Sequence, residues 1–182
     1  MPVDDELYGR YLAGDETACD ALMLRYGDAV VAYLYAFLHD YQDAEDLMLD
    51  LFARIMVRKP SIRAGGFRAY LFKSARHEAA RFHRVKTRMQ TFSLDDAPPP
   101  AVDSSEDAVL RSERGEALQR CLTRIHAQYR EPLWLVYAMG LSYAQAASVL
   151  GCGTKKVDNL VTAGKKLLRR ELEKEGITHA LE

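Results

Sequence analysis

Residues 67–88, FRAYLFKSARHEAARFHRVKTR, hold seven Arg or Lys, two His and a single acid. On a helix turning about 100° per residue, Lys73, Arg76, His77, Arg81, Arg84 and Arg88 fall on one side. Phe67, Leu71, Ala75, Ala79 and Phe82 fall on the other, and Tyr70 lies at the rim of the basic side. Most charged helix faces are solvated surface and nothing more. Here Glu78 is the one acid in the stretch, so the face repels itself unless a polyanion lies on it. A phosphate backbone is the natural partner. A flat ring at the edge of such a face can stack a base whose π surface is exposed, which points to single-stranded or opened DNA.

The segment DAEDLMLDLFARIMV, 43–57, has the opposite character. Ala44, Leu47, Met48, Leu51 and Ile55 make a helical apolar stripe, and Asp43, Asp46 and Asp50 project together away from it. Beside that acidic row stands Leu49, pointing out of the core. Carboxylates in a row suggest a metal site or an acid–base pair. Metal ligands of this kind come from several elements, and no His joins the row. Acids in a first helical turn also serve as ordinary dipole partners. The pattern fits best a docking face for a basic protein surface with Leu49 as its dry centre.

Enzyme chemistry finds little support. His39, His77, His83, His126 and His179 form no metal-ligand spacing, and no Cys stands at a zinc-like interval from them. GCGTKK lacks the spacing of a phosphate loop. No nucleophile motif is seen, and no cofactor or metal is expected. Cys19, Cys121 and Cys152 are odd in number and far apart, as reduced thiols in a cytosol would be; all three are expected to be buried among helical apolar positions.

These residues need elements to hold them. The chain has 182 residues, enough for one ordinary domain or two small ones. Its net charge of −1 conceals strong segregation: residues 1–53 carry −10, 54–90 carry +10, 91–115 carry −4 and 116–182 carry +3. Two adjacent blocks of opposite sign imply two surfaces with different partners. No apolar run approaches the length of a membrane span, the acidic N-terminus does not read as a signal peptide, and no membrane insertion is expected.

Periodicity is helical almost throughout, with no sustained alternation of period two. Asp4 can cap a short helix ending near Gly14, and Asp15 a longer one over 16–39. Asp43 opens the third helix, 59–66 form a loop, and 67–88 make the fourth helix. Residues 91–107, TFSLDDAPPPAVDSSED, carry three consecutive prolines and five acids and read as a linker. Beyond it come a helix over about 108–126, another starting near Glu131–Pro132, and then LSYAQAASVL, GCG and TKKVDNLVTAGKKLLRRELEK. This last trio has helix-turn-helix spacing, with Ala147, Leu150, Val157 and Val161 closing its inner face. The expected fold is all-α: two small helical domains, 1–90 and 108–182, joined by a flexible linker, 91–107, with the helix-turn-helix in the second.

DAEDLMLDLF, FRAYLFKSARHEAARFHR, the Pro-rich acidic linker and YREPLWLVYAMGLSYAQAASVLG together resemble the successive blocks of an extracytoplasmic-function (ECF) sigma factor, group IV of the bacterial primary-sigma-related family. The resemblance covers nearly the whole chain, in order. It implies a non-enzymatic cytoplasmic factor that directs core RNA polymerase to promoters, touching the β′ clamp helices and the β flap and commonly held inactive by an anti-sigma factor. Carried onto this sequence, the clamp-docking positions are Asp43, Asp46, Leu49 and Asp50. Contacts to the −10 element fall on Lys59, Ser61 and Arg63 of the loop that holds a flipped base, and on Tyr70, Lys73, Arg76, His77 and Arg84. Those to the −35 element fall on Lys155, Lys156, Asp158, Asn159, Thr162, Lys165 and Lys166. The chain departs from the family pattern with Leu49 in place of Gln, Tyr70 in place of Trp and His77 in place of Asn. Gly164 stands mid-helix, where Ala is common and Gly costs about 1 kcal/mol. Two other readings stay open on the sequence: a stand-alone helix-turn-helix regulator, and a sigma-like protein with reduced promoter activity.

Overall fold

The computed structural model describes residues 3–90, 120–122 and 124–177, and the expected linker lies outside them. Among the described residues there are helices and no strand. The N-terminal bundle holds α1 (Val3–Leu12), α2 (Thr17–Leu38), α3 (Tyr41–Arg58) and α4 (Phe67–Gln90). The C-terminal bundle holds α5 (Ala127–Leu133), a π-helical turn (Trp134–Ala138), α6 (Tyr143–Leu150) and α7 (Thr154–Lys174). Residues 120–122 and 124 are helical and close the expected helix over 108–126, whose earlier part lies outside the described residues.

By length and composition alone, α2 is apolar enough to cross a membrane, contrary to the reading that no run comes close. Its apolar positions have another use: Leu22, Tyr26, Val30, Val31, Tyr33, Leu34 and Leu38 are buried as the spine of the N-terminal core. Burial of such side chains stabilises by about 1.5–3 kcal/mol each. The α3 start also differs from expectation. Asp40 is the cap, accepting from the Asp43 N–H at 3.0 Å, and the helix begins two residues before Asp43.

Pro132 sits inside α5 and not in its first turn, because the helix, capped by His126, starts at Ala127, four residues before Glu131. Proline brings no N–H to the Gln128 carbonyl, and the chain then widens into the π turn, where Met139 N–H donates to Trp134 O at 3.1 Å. The helix-turn-helix forms over the expected residues. Ser142 and Gln145 make a reciprocal capping box at the start of α6, and Gly151 ends it. Cys121 is buried as expected, but Cys152 lies half-buried in the turn and Cys19 is half-buried on α2.

Gly164 turns out to be a contact requirement. A Cβ there would come within 2.9 Å of Leu133 Cδ1 and 3.2 Å of the Tyr129 carbonyl oxygen, where α5 crosses α7. Alanine gains about 1 kcal/mol of helix propensity, while overpacking a filled contact costs about 1–3 kcal/mol. Gly164→Ala is therefore expected to lower the unfolding free energy by about 1 kcal/mol, and Gly164→Leu by more. Urea melts check this; a raised midpoint for the alanine variant would mean the two helices have room to spare.

The two bundles touch. α6 packs across α4, and Tyr33 is the hub of the seam. Its ring stacks on Trp134 at 5.2 Å between centroids and meets Phe72 edge-on at 5.5 Å. Its hydroxyl donates to Glu131 Oε1 at 2.6 Å, and the same oxygen accepts from Arg76 Nε at 2.9 Å. Arg68 donates to the Met139 carbonyl at 3.0 Å, and Gln145 Nε2 donates to the Gly65 carbonyl at 2.7 Å. Burial and the Glu131 carboxylate push the Tyr33 hydroxyl well above its ordinary pKa. Burial alone would lower Arg76, but the same carboxylate holds it above the usual value.

Candidate nucleic-acid interface

α4 carries three strips of side chains. Phe67, Leu71, Ala75 and Ala79 are buried in the N-terminal core, with Phe82 half-buried at its edge. Arg68, Phe72 and Arg76 face the C-terminal bundle. Phe72 is fully buried there, although the sequence did not single it out. Lys73, His77, Arg81 and Arg84 are exposed on the remaining side, with Tyr70 half-buried at the helix start. Arg76 thus stands apart from the other basic residues with which the helical projection grouped it, because Glu131 draws it to the seam. Glu78 is shared with Arg54 of α3 and Arg81.

The 59–66 loop runs up to Tyr70, whose N–H donates to the Gly66 carbonyl at 2.9 Å. Lys59, Ser61 and Arg63 are exposed. The tight end of the loop is closed by the Gly66 N–H donating to Arg63 O at 2.8 Å; any Cβ on Gly66 would meet that oxygen at 2.8 Å, so no other residue fits. Sequence punctuation marked the loop, but nothing in it identified what holds the loop: Asp5, Tyr8 and Tyr11 of α1.

The acidic row is exposed where expected. Asp46 and Asp50 are open, Leu49 is 50% exposed, and Asp43 pairs with Lys86 at 2.9 Å. A groove of about 240 Å³ runs between α3 and α4, bounded by the three aspartates and by Glu78 with Arg81, and floored by Leu47, Phe82 and Val85. An acidic rim over an apolar floor suits a basic amphipathic helix. Among the described residues no group of three or more His, Cys, Asp or Glu could hold a metal ion.

On α7, Val157, Val161, Gly164, Leu168 and Leu172 face the bundle. Lys155, Lys156, Asp158, Asn159, Thr162, Lys165 and Lys166 are all exposed, on the side of the helix away from that core. Lys165 Nζ lies 4.6 Å over the Tyr137 ring, and the Tyr137 hydroxyl raises its pKa. That lysine is oriented by a cation–π contact, a feature the sequence did not signal.

Residues 22–89 match the family model Sigma-70 region 2, and residues 115–168 match Sigma-70, region 4. Together they fall in both helical units, including the half that a stand-alone helix-turn-helix regulator leaves unexplained. The chain is 25% identical over 181 residues to RNA polymerase sigma-H factor of Pseudomonas aeruginosa, covering 93% of this chain and 94% of that one. It is 31% identical over 149 residues to ECF RNA polymerase sigma factor SigC of Mycobacterium tuberculosis, covering 79% of this chain and 77% of the relative. Its fold is similar to that of CnrH, solved in complex with the cytosolic domain of CnrY, with a TM-score of 0.62 and 20% identity over 94% of this chain and 98% of that one. The chain belongs to the ECF sigma factors of RNA polymerase, a family of non-catalytic transcription initiation factors.

Proposed function

We propose that this sigma factor docks on the β′ clamp helices of core polymerase through Asp43, Asp46, Leu49 and Asp50. It then captures an opened −10 element on the 59–66 loop and the outer face of α4, and anchors −35 duplex on α7. The observation that carries this reading is the half-buried Tyr70, on the same strip of α4 as the exposed Lys73, His77 and Arg84 and one turn from the end of the 59–66 loop. No covalent chemistry is needed. A base stacked on an aromatic contributes about 1–3 kcal/mol, while extruding one costs a few kcal/mol. One ring and one loop pocket therefore nearly offset local opening once polymerase contributes the rest. Phosphate contacts by the lysines and arginines fix the register. The Lys-rich face of α7 draws on phosphates and groove shape more than on base edges. The β flap as a second docking point, an anti-sigma protein as keeper and a cytoplasmic site of action complete the proposal.

The promoter also sets a distance. Nominal −35 and −10 positions are separated by roughly 85 Å of duplex at 3.4 Å per base step. A compact chain of this length has a radius of gyration of about 16 Å. Both elements can be held at once only if the two bundles part at the Tyr33–Glu131–Arg76 seam, with 91–107 as the tether that keeps each near its site.

Tyr70→Ala is the direct test. The expected result is a loss of open-complex formation of about tenfold or more, read by permanganate footprinting on a promoter found by run-off mapping, with binding to core polymerase unchanged. Open complexes forming at the parent's rate would remove the stacking role.

A further inference from the structure

The N-terminal helix lies outside the segment matched to region 2, 22–89. One face of it is nonetheless devoted to a single task. Asp5 accepts from the Gly65 N–H. The Tyr8 hydroxyl donates to the Pro60 carbonyl at 2.7 Å, and the Tyr11 hydroxyl to the Met56 carbonyl at 3.0 Å. Lys59 Nζ lies 5.0 Å over the Tyr11 ring. Asp4, 4% exposed, bridges Arg25 Nε at 3.0 Å and Arg68 Nε at 3.2 Å, pinning α1 to both α2 and the start of α4. Residues 4, 5, 8 and 11 are neighbours on a helix surface, so this is one continuous clamp.

Two of the clamp's targets, Pro60 O and Gly65 N, are backbone groups at the two ends of one short arc, while Tyr11 reaches Met56 O in the last turn of α3 and Asp4 the side chains of Arg25 and Arg68. Pro60 O and Gly65 N flank residues 61–64, whose Ser61 and Arg63 side chains point outward. A loop backbone that bonds only to water wanders among many shapes. This one is tied at entry and exit by buried or half-buried donors and acceptors. Tyr8 is 4% exposed, with its ring 5.3 Å from Phe67, and burial pushes its hydroxyl up to about 12, so it stays a donor at any working pH. The Gly65 carbonyl is the exception, since it is held by Gln145 of the other bundle. When the bundles part, that bond is lost, and α1 and the loop's own Gly66 N–H to Arg63 O bond remain to keep the arc in shape.

We propose that α1 is a specificity element: Asp5 and Tyr8 are positioning residues that hold the 59–66 loop in the one shape that accepts a particular unpaired base. This rests on the reading above that the loop captures a base of the opened −10 element. The base itself is touched by the loop; α1 acts through the loop's backbone. Discrimination should then depend on groups that never meet DNA, because a site loosened by a fraction of its fit loses preference before it loses affinity.

The test uses full-length protein assembled with core polymerase and a pool of single-stranded oligodeoxynucleotides with randomised bases, sequenced before and after capture. Tyr8→Phe removes only the hydroxyl, Asp5→Ala removes the acceptor, and Asp5→Asn keeps an acceptor oxygen. Tyr8→Phe and Asp5→Ala are expected to flatten the base preference at one position by about tenfold, with total DNA captured and polymerase assembly unchanged, and Asp5→Asn is expected to restore most of it. Ser61→Ala with Arg63→Ala reports on the loop itself and should flatten the same position. If the loop variant flattens a position and the α1 variants do not, the inference is overturned while the base-capture reading stands. If the loop variant leaves every position sharp, base capture by this loop is wrong and the inference falls with it. An even loss across all sequences with preference intact assigns α1 a merely structural role and also overturns it.

Discussion

Holoenzyme assembly is expected to be lost when Asp46→Arg is combined with Leu49→Glu. Neither side chain supports the fold. Asp46 is exposed and accepts from Gln42 Nε2 at 3.3 Å, and Leu49 is 50% exposed. Exposed substitutions of this kind move stability by about 0.5 kcal/mol or less. At an interface their weight differs. An apolar residue at the dry centre of a docking patch is the position where truncation costs about 2 kcal/mol or more. A charge reversal on the rim places like charges opposite a basic partner, which costs several kcal/mol in specificity. Together they amount to roughly a thousandfold weaker binding. Titration of labelled protein with core RNA polymerase, beside a thermal melt of the free protein, checks both halves of the expectation. Asp43→Ala should do less, because Asp43 is already half engaged with Lys86. Undiminished co-elution of the double variant with polymerase would remove the docking assignment.

Local signals were legible and distant ones were not. α6, the turn and α7 follow from the helical periodicity on either side of GCG, whose Gly151 ends α6 and whose Gly153 caps α7. The buried stripes of α3 and α4 follow from periodicity alone, since Leu47, Leu51, Ile55, Leu71 and Ala75 each point where a helix must point them. Arg76 was misplaced for a physical reason. Its position on the helical wheel lies between the exposed strip and the core, and only the arrival of Glu131, 55 residues on, decides its direction. Phe72 was missed for the same reason, because the flank it occupies is covered by Trp134. The spacing of Asp5, Tyr8 and Tyr11 was visible, yet their partners lie 45 to 60 residues away, in the last turn of α3 and in a loop without periodicity. Gly164 looked like a weakness of the last helix until the crossing with Leu133 gave it a reason.

Glu131→Ala combined with Trp134→Ala is expected to part the two bundles in the free protein. The Tyr33–Trp134 stack is worth about 0.5–1.5 kcal/mol beyond the area it buries. The Tyr33 hydroxyl on a carboxylate adds about 1.5–3 kcal/mol. The Arg76–Glu131 pair adds little, about 0–1 kcal/mol, since Arg76 is 36% exposed and partly screened. A combined loss near 3 kcal/mol shifts the closed-to-open ratio by roughly a hundredfold. Small-angle scattering should then show the radius of gyration rising by several Å above the value of about 16 Å expected for a compact chain of this length, with helicity by circular dichroism unchanged. The same variant should reach promoter complexes faster than the parent, because the seam that must open to span −35 and −10 is already open. Tyr33→Phe keeps the ring and loses the hydroxyl, so it should fall between the two. A double variant that scatters like the parent would mean that α6 on α4 holds the bundles together without the hub, and the seam would then lie in Gln145, Gly65 and the Arg68–Met139 bond.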